Sequence, residues 1–110
     1  MKYLLVLLIG VAAMTGSRPA QAQNAHPCAA EAIAQAGKLL RFHSDNDDRI
    51  RIEDRARTIG TIRAIRGNAR YDVLEVLGTI YRGSYRMRLI YAQLPGCVLM
   101  GQEVLEDAIL

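Results

Sequence analysis

The densest group of potential metal ligands lies in one polar segment of the chain. It comprises one histidine and three aspartates: His43, Asp45, Asp47 and Asp48. Calcium prefers carboxylate oxygens as ligands, and imidazole together with carboxylates can hold zinc. A zinc site would need three or four ligands, and the only other histidine is His26. Calcium is therefore the main candidate for a metal bound by this segment.

The spacing of the aspartates does not match an EF-hand calcium loop. Such a loop needs oxygen ligands at positions 1, 3 and 5, a glycine at position 6 and a glutamate at position 12. Counting from Asp45, position 3 is Asp47, but positions 5, 6 and 12 are Arg49, Ile50 and Ala56. We therefore interpret the segment as the polar tip of a hairpin and predict no metal site. Weak calcium binding is the alternative.

Residue types that support catalysis are sparse. Ser44 and Ser84 are the only serines beyond residue 22, and neither lies in a G-x-S-x-G nucleophile elbow. Glu53 and Asp54 are adjacent, but neighbours in a strand point to opposite faces and would not act on one substrate. The sequence contains no glycine motif that cradles phosphates. We predict that the protein is not an enzyme and has no cofactor.

The clearest local pattern is a β-hairpin in "YDVLEVLGTIYRGSYRMRLIY". A two-residue turn at Arg82–Gly83 would place Ile80 opposite Tyr85 and Val76 opposite Leu89. One face of the hairpin then becomes apolar or aromatic: Leu74, Val76, Gly78, Ile80, Tyr85, Met87, Leu89 and Tyr91. A shift of one residue would mix arginines into this face, so burial should select the predicted faces.

The opposite face of the hairpin carries the candidate binding residues. They are Tyr81, Arg82, Arg86 and Arg88, with Leu77 and Ile90 beside them. Arginine with tyrosine is a composition typical of binding hot spots. The alternative is an ordinary solvated face in which Glu75 pairs with the arginines.

The N-terminal residues predict export. Lys2 precedes an apolar run over residues 3–14, and Ala20–Ala22 forms an A-x-A cleavage pattern. We predict a signal peptide over residues 1–22, cleaved after Ala22, and a single domain over 23–110; an uncleaved anchor is the alternative. No second apolar run of membrane length follows, so no transmembrane segment is predicted in the mature chain. The predicted location is periplasmic or secreted.

The charge of the predicted mature chain is nearly balanced. Removal of 22 residues from 110 leaves 88, with 12 basic and 11 acidic side chains and a net charge of +1. One excess charge does not predict nucleic-acid binding. All the basic residues except Lys38 are arginines, which form forked pairs with carboxylates and phosphates. Genome base composition can produce the same bias.

Two cysteines, Cys28 and Cys97, remain after the leader. In an exported chain they most simply form one disulfide, which would close a loop of about 70 residues. A reactive thiol is the alternative, but the chain has no C-x-x-C pair and no basic residue beside Cys97.

The elements that must hold these residues can be predicted in outline. "HPCAAEAIAQAGKLL" indicates a helix with Pro27 in its first turn and Gly37 as its stop. The "LLRFH" segment predicts a strand, which is followed by the polar turn and by a second strand. Residues 55–68 favour a short strand or an irregular connection. "CVLMGQEVL" predicts a last strand. The predicted fold is α+β, with one N-terminal helix packed on a roughly four-stranded antiparallel sheet and stapled by the disulfide.

The helix over 27–37 and the hairpin over 71–91 resemble the small PepSY-type domains of bacterial envelope proteins. The resemblance covers under half of the chain, and residues 49–66 and the cysteine pair depart from the pattern. It implies a non-catalytic, exported binding or inhibitory module, and it carries over no functional residues.

Two functions follow as hypotheses. The first is a module that binds an envelope protein through the Arg/Tyr face. The second is a domain that binds an anion, such as a lipid headgroup, an acidic glycan or a nucleic acid, through the same face.

Overall fold

The computed structural model describes residues 26–107. One helix, α1 (Ala29–His43), precedes five strands: β1 (Ile50–Ile52), β2 (Arg57–Arg63), β3 (Arg70–Ile80), β4 (Gly83–Ala92) and β5 (Leu99–Asp107). The predicted signal peptide and its cleavage site after Ala22 lie outside the described residues. The α+β prediction is confirmed: α1 packs on one face of a five-stranded antiparallel sheet.

The sheet contains one strand more than predicted because two strands share one edge of β3. β1 pairs with residues 78–80 and β2 pairs with residues 70–75, while β4 occupies the other edge. The ambiguous segment 55–68 therefore supplies β2 and the turn into β3. Gly67 takes a left-handed conformation in that turn (φ 78°), which an L-residue with a side chain rarely adopts.

The helix extends beyond the predicted stop at Gly37. Gly37 is buried within α1, and the helix continues through the "LLRFH" segment that we predicted as a strand. Leu40 continues the spacing of the buried alanines and is completely buried, whereas Phe42 points outward and is 86% exposed. The spacing of Leu40 and Phe42 fits a strand locally. Burial of Leu40 against the sheet selects the helix instead.

The polar segment after the helix is a helix cap and not the tip of a hairpin. The backbone N–H of Ser44 donates to the Leu40 carbonyl at 2.9 Å. Asp45 and Asn46 then adopt left-handed backbone, with φ of 58° and 62°. These residue types tolerate that conformation, so the chain can reverse direction and enter β1.

The core lies between α1 and the predicted apolar face of the hairpin. The largest fully buried side chains are Leu40, Leu74, Val76, Met87 and Leu89. The predicted faces are therefore confirmed, but the predicted register is wrong by two residues. The turn is Tyr81–Arg82, so Ile80 pairs with Gly83 instead of Tyr85. Side chains alternate with a period of two, and a two-residue shift leaves both faces unchanged.

The predicted disulfide between Cys28 and Cys97 is present. Cys28 is the N-cap residue of α1, and Cys97 lies in the β4–β5 connection, two residues before β5 begins. Both sulfur-bearing side chains contact the core cluster. The disulfide therefore ties the start of the helix to the connection that leads into the last strand.

Gly78 lies where β1, β3 and β4 approach closely, and we expect Gly78→Ala to lower the free energy of unfolding by about 1 to 2 kcal/mol. A Cβ there would lie 3.0 Å from Met87 Cε and 3.1 Å from the Arg51 carbonyl oxygen, so the backbone of β1 would have to move. Urea unfolding of the two proteins measures the difference.

Gly60→Ala is the matched control in an exposed strand. A Cβ at Gly60 meets no atom within 4 Å. Alanine there should leave stability unchanged or raise it by about 0.5 kcal/mol, because it reduces the freedom of the unfolded chain. Equal effects of the two substitutions would contradict the packing argument.

Candidate functional site

A row of alternating charges crosses the sheet face opposite α1. Arg57, Glu75, Arg88 and Glu103 are direct neighbours on β2, β3, β4 and β5. Glu75 accepts hydrogen bonds from Arg57 at 3.2 Å and from Arg88 at 3.1 Å. Arg88 also lies 3.6 Å from Glu103. Neighbouring strands thus place opposite charges side by side, which stabilises the pairing of the strands.

Glu75 is the buried centre of this charge row. Its residue exposure is only 5%, although it lies on the face that α1 does not cover. A buried carboxylate is stable only when its oxygens are satisfied, and here each oxygen accepts from a different arginine. Arg88 is therefore engaged within the sheet, as the solvated-face alternative expects.

The four predicted binding residues fall into two groups. Arg86 donates from Nε and Nη2 to Asp107 Oδ1 at 3.1 and 2.9 Å, so both predicted sheet arginines are held by acidic residues of the same sheet. Tyr81 and Arg82 instead form the β3–β4 turn, away from the charge row. The structure does not bring the four residues together into one uniform patch.

Tyr81 is the centre of a compact cluster at this turn. The guanidinium carbons of Arg49 and Arg82 each lie 5.2 Å from the centre of the Tyr81 ring, within the range of a cation–π contact. The ring remains 66% exposed. Tyr81 also adopts left-handed backbone with φ of 55°, which is uncommon for a bulky residue and costs about 1 kcal/mol or more.

Arg49 is held in place by Asp47. Arg49 donates from Nε to Asp47 Oδ1 at 3.0 Å and from Nη2 to Asp47 Oδ2 at 2.7 Å. This forked pairing stabilises the ionised carboxylate and lowers the pKa of Asp47 to about 2. We name Asp47, Arg49, Tyr81 and Arg82 the turn cluster.

The contacts of Asp47 and His43 decide whether the polar segment offers a ready set of metal ligands. Both carboxylate oxygens of Asp47 accept from Arg49, and His43 lies against the Tyr85 ring with its centroid 5.9 Å away. Within residues 26–107, no group of three histidine, cysteine or acidic side chains is arranged to hold a metal ion. The calcium alternative therefore has no preformed ligand set in this part of the chain.

Sequence reasoning missed a polar cluster around Asp72, at the start of the helix. His26 Nε2 lies 2.8 Å from Asp72 Oδ2, while the other carboxylate oxygen accepts from Gln93 at 2.7 Å and from Thr61 at 3.4 Å. The hydrogen bond from Gln93, followed by that from His26, lowers the pKa of Asp72. The histidine and aspartate are 46 residues apart, and no short motif links them.

A histidine beside an aspartate suggests a general base, but this pair is arranged differently. The His26 Nδ1 atom accepts the backbone N–H of Cys28 at 2.9 Å, which assigns the remaining ring proton to Nε2. Nδ1 therefore cannot take a proton from a nucleophile while this hydrogen bond is made. The geometry fits a helix cap, in which the imidazole satisfies one of the free N–H groups at the start of α1.

The helix within residues 26–107 lacks the length and apolar character needed to cross a bilayer. No protein-family model matches the chain, and no curated protein or solved structure matches it either.

Proposed function

We propose that the protein is an exported, non-catalytic module that binds an envelope protein, as its resemblance to PepSY-type domains implies. The observation that carries the proposal is the turn cluster, an exposed tyrosine in contact with two arginines. The disulfide supports export because such bonds persist in oxidising compartments.

The turn cluster has the physical properties of a protein-binding hot spot. Tyrosine and arginine are enriched in hot spots because they combine apolar contact with directed hydrogen bonds. The Asp47–Arg49 pairing and the contacts to the ring order the side chains before binding, which reduces the entropy lost on association. A partner would therefore meet a surface that is already arranged.

The surroundings of the turn cluster favour an acidic segment of the partner. A shallow depression of about 410 Å³ lies beside Tyr81 and is lined by Asp48, Arg49, Arg51, Thr79 and Tyr81. Two cations and one anion line it, and Arg82 adds a further cation at the turn. Arg49 is already paired with Asp47, but Arg51 and Arg82 form no ion pair within residues 26–107. An aspartate or glutamate of the partner could pair with Arg51 or Arg82 while an apolar neighbour covers the tyrosine ring.

Anion binding at the predicted Arg/Tyr face has weaker support than protein binding. Arg86 and Arg88 are the two arginines of that face that lie on the sheet, and their charges are compensated by acidic residues of neighbouring strands. An added anion would have to compete with these internal pairs. Reversal of both charges would also disturb the sheet, so it cannot test partner binding separately from folding.

Tyr81→Gly separates binding from folding. Glycine tolerates the left-handed backbone, so we expect the free energy of unfolding to stay the same or to rise by up to about 1 kcal/mol. We expect capture of the partner to be lost. The measurement is crosslinking from intact envelopes with the tagged, disulfide-bonded protein, read by mass spectrometry, alongside urea unfolding of each variant.

Phe42→Ser is the matched control for the tyrosine substitution. Phe42 is a highly exposed aromatic residue on α1, outside the turn cluster. Its replacement should leave capture of the same partner intact. The proposal would be overturned if Tyr81→Gly captured the partner as well as the original protein does. It would also be overturned if both variants failed to capture the partner.

A further inference from the structure

The end of the sheet opposite the turn cluster is a continuous basic and apolar surface. It is formed where the β2–β3 turn meets the β4–β5 connection. The Gln93 N–H donates to the Arg70 carbonyl at 3.2 Å, and Tyr71 pairs directly with Ala92, so the two segments are adjacent. Tyr71 also lines the shallow depressions on both sides of this junction.

Large apolar side chains are unusually exposed at this end. Ile65, near the start of the β2–β3 turn, is fully exposed, and Leu94 in the β4–β5 connection is 63% exposed. Ile62 and Met100 are exposed beside them. Scattered exposed apolar residues need no explanation, but these lie together on adjoining segments.

Arginines surround the exposed apolar side chains. Residues 55–70 include five arginines and no acidic residue. Arg57 pairs with Glu75, but Arg63, Arg66 and Arg70 form no ion pair with any residue in the range 26–107. The nearby Asp72 already accepts hydrogen bonds from other side chains. The charge of this surface is therefore uncompensated by the sheet.

The other end of the sheet is balanced in charge. Five acidic residues lie in the helix-to-β1 connection and at the end of β5: Asp45, Asp47, Asp48, Glu106 and Asp107. Five arginines at the same end match them in number: Arg41, Arg49, Arg51, Arg82 and Arg86. The uncompensated positive charge therefore lies at the end that carries the β2–β3 turn. We name Ile62, Ile65, Leu94, Met100 and the three arginines Arg63, Arg66 and Arg70 the basic–apolar end.

We propose that the basic–apolar end docks on the surface of an anionic phospholipid bilayer. Guanidinium groups bind lipid phosphates through paired hydrogen bonds, and the surface potential of anionic lipids attracts clustered cations. Ile65 lies between Arg63 and Arg66 in the chain, so its side chain can enter the headgroup region while the arginines remain at the phosphates.

The side chains favour a lipid surface over other polyanions. Single-stranded nucleic acids are bound through aromatic side chains that stack on bases, whereas the exposed large apolar residues of this end are isoleucine, leucine and methionine, and Tyr71 is half-buried. Addition of a protein strand to the free edge of β2 would meet the register shift between Thr58 and Gly60. A bilayer accommodates both the irregular edge and the aliphatic side chains.

Docking in this way would orient the molecule. β3 is 11 residues long and runs from the basic–apolar end at Arg70 to the turn cluster beyond Ile80. An extended strand of that length spans about 33 Å. The turn cluster would then face away from the bilayer, where a partner could reach it, although the lipid proposal does not depend on that function.

The test is flotation with vesicles, using the disulfide-bonded protein in its natural processed form. One set of vesicles contains equal parts of phosphatidylglycerol and phosphatidylcholine, and the other contains phosphatidylcholine alone. We expect binding to the anionic vesicles at low salt and its loss at 0.5 M NaCl, as screening requires. Absence of binding to the anionic vesicles at low salt would overturn the proposal.

Two groups of charge variants locate the binding surface. Arg63→Gln/Arg66→Gln/Arg70→Gln should weaken binding to the anionic vesicles by about 100-fold. The control makes the same change of net charge at the other end: Arg41→Gln/Arg51→Gln/Arg82→Gln. It should bind as the original protein does. Equal weakening by the two triple variants would mean that net charge alone governs binding, and would overturn the assignment of the surface.

Ile65→Ser distinguishes a bilayer from other polyanions. Loss of the isoleucine that enters the headgroup region should weaken vesicle binding by about tenfold. It should leave any binding to heparin or to an oligonucleotide unchanged, because those ligands offer no apolar interior. The lipid proposal would be overturned if Ile65→Ser and the original protein bound the vesicles with equal affinity. It would also be overturned, in favour of another polyanion, if the original protein bound heparin, an oligonucleotide or poly-glutamate more tightly than the vesicles.

Discussion

Removal of the Cys28–Cys97 disulfide is expected to lower the free energy of unfolding by about 4 kcal/mol. The two cysteines are 69 residues apart, so the bond excludes most of the extended conformations of the unfolded chain. In the chain-entropy account, a loop of this length gives stabilisation of that size. A fold of the size of residues 26–107 has little stability to spare, and its melting temperature should fall by about 20 °C.

The disulfide also holds the start of α1 close to the β4–β5 connection. It joins the N-cap residue of α1 to the connection before β5, and Cys28 is itself buried. Near it, His26 caps the helix and bonds to Asp72 on β3. Loss of the covalent bond should therefore loosen the start of α1 and the β4–β5 connection before the centre of the sheet.

The disulfide prediction is measured by urea unfolding followed by circular dichroism. The disulfide-bonded protein is compared with Cys28→Ala/Cys97→Ala and with the original protein under a reductant. The reduced protein keeps both sulfur atoms in the core and so isolates the effect of the bond. Stabilities within 1 kcal/mol for all three would contradict the prediction.

Arg88→Ala is expected to lower the free energy of unfolding by about 2 to 3 kcal/mol. Arg88 donates to Glu75 at 3.1 Å, and Glu75 is buried. Without Arg88, one oxygen of a buried carboxylate would lose its partner, and Arg57 alone would remain to compensate the charge. The pairing of β4 with β5 would also lose the contact with Glu103.

Arg86→Ala is the matched control on the same strand and the same face. Its partner Asp107 is nearly half exposed, and water can solvate that carboxylate once the arginine is absent. We expect a loss of less than 1 kcal/mol, as for most exposed ion pairs. Thermal and urea unfolding of the two variants gives the difference directly. A loss from Arg86→Ala as large as that from Arg88→Ala would contradict the role assigned to Glu75.

The Arg88 prediction also distinguishes structural from functional arginines. If the expected difference is found, Arg88 acts chiefly within the sheet, and reduced partner binding in an Arg88 variant could result from lost stability. The turn cluster and the basic–apolar end would then be the surfaces on which substitutions can report binding alone.

Several features could be predicted from sequence because they depend on local pattern. The faces of the β3–β4 hairpin follow from strict alternation, since residues two positions apart lie on the same face, so burial of Leu74 and Leu89 places Val76 and Met87 on the core side as well. The disulfide follows from simple arithmetic, because only two cysteines remain beyond the predicted leader. The α+β class follows from one helical pattern and several alternating patterns.

The errors occurred where two structures satisfy the same local pattern. Registers two residues apart bury the same side chains, so alternation cannot distinguish a Tyr81–Arg82 turn from an Arg82–Gly83 turn. Leu40 and Phe42 fit a strand as well as a helix locally. Contact with the sheet decides between them, because it buries Leu40 while Phe42 remains in solvent.

The candidate surfaces depended still more on tertiary structure. Composition reveals many arginines, but it does not reveal which of them are neutralised. Strand order places Glu75 between Arg57 and Arg88, whereas Arg63, Arg66 and Arg70 form no ion pair within residues 26–107. Coulomb interactions and burial act through space and not along the chain, so the sequence specifies the charges and the packing of the strands specifies which of them remain free to bind.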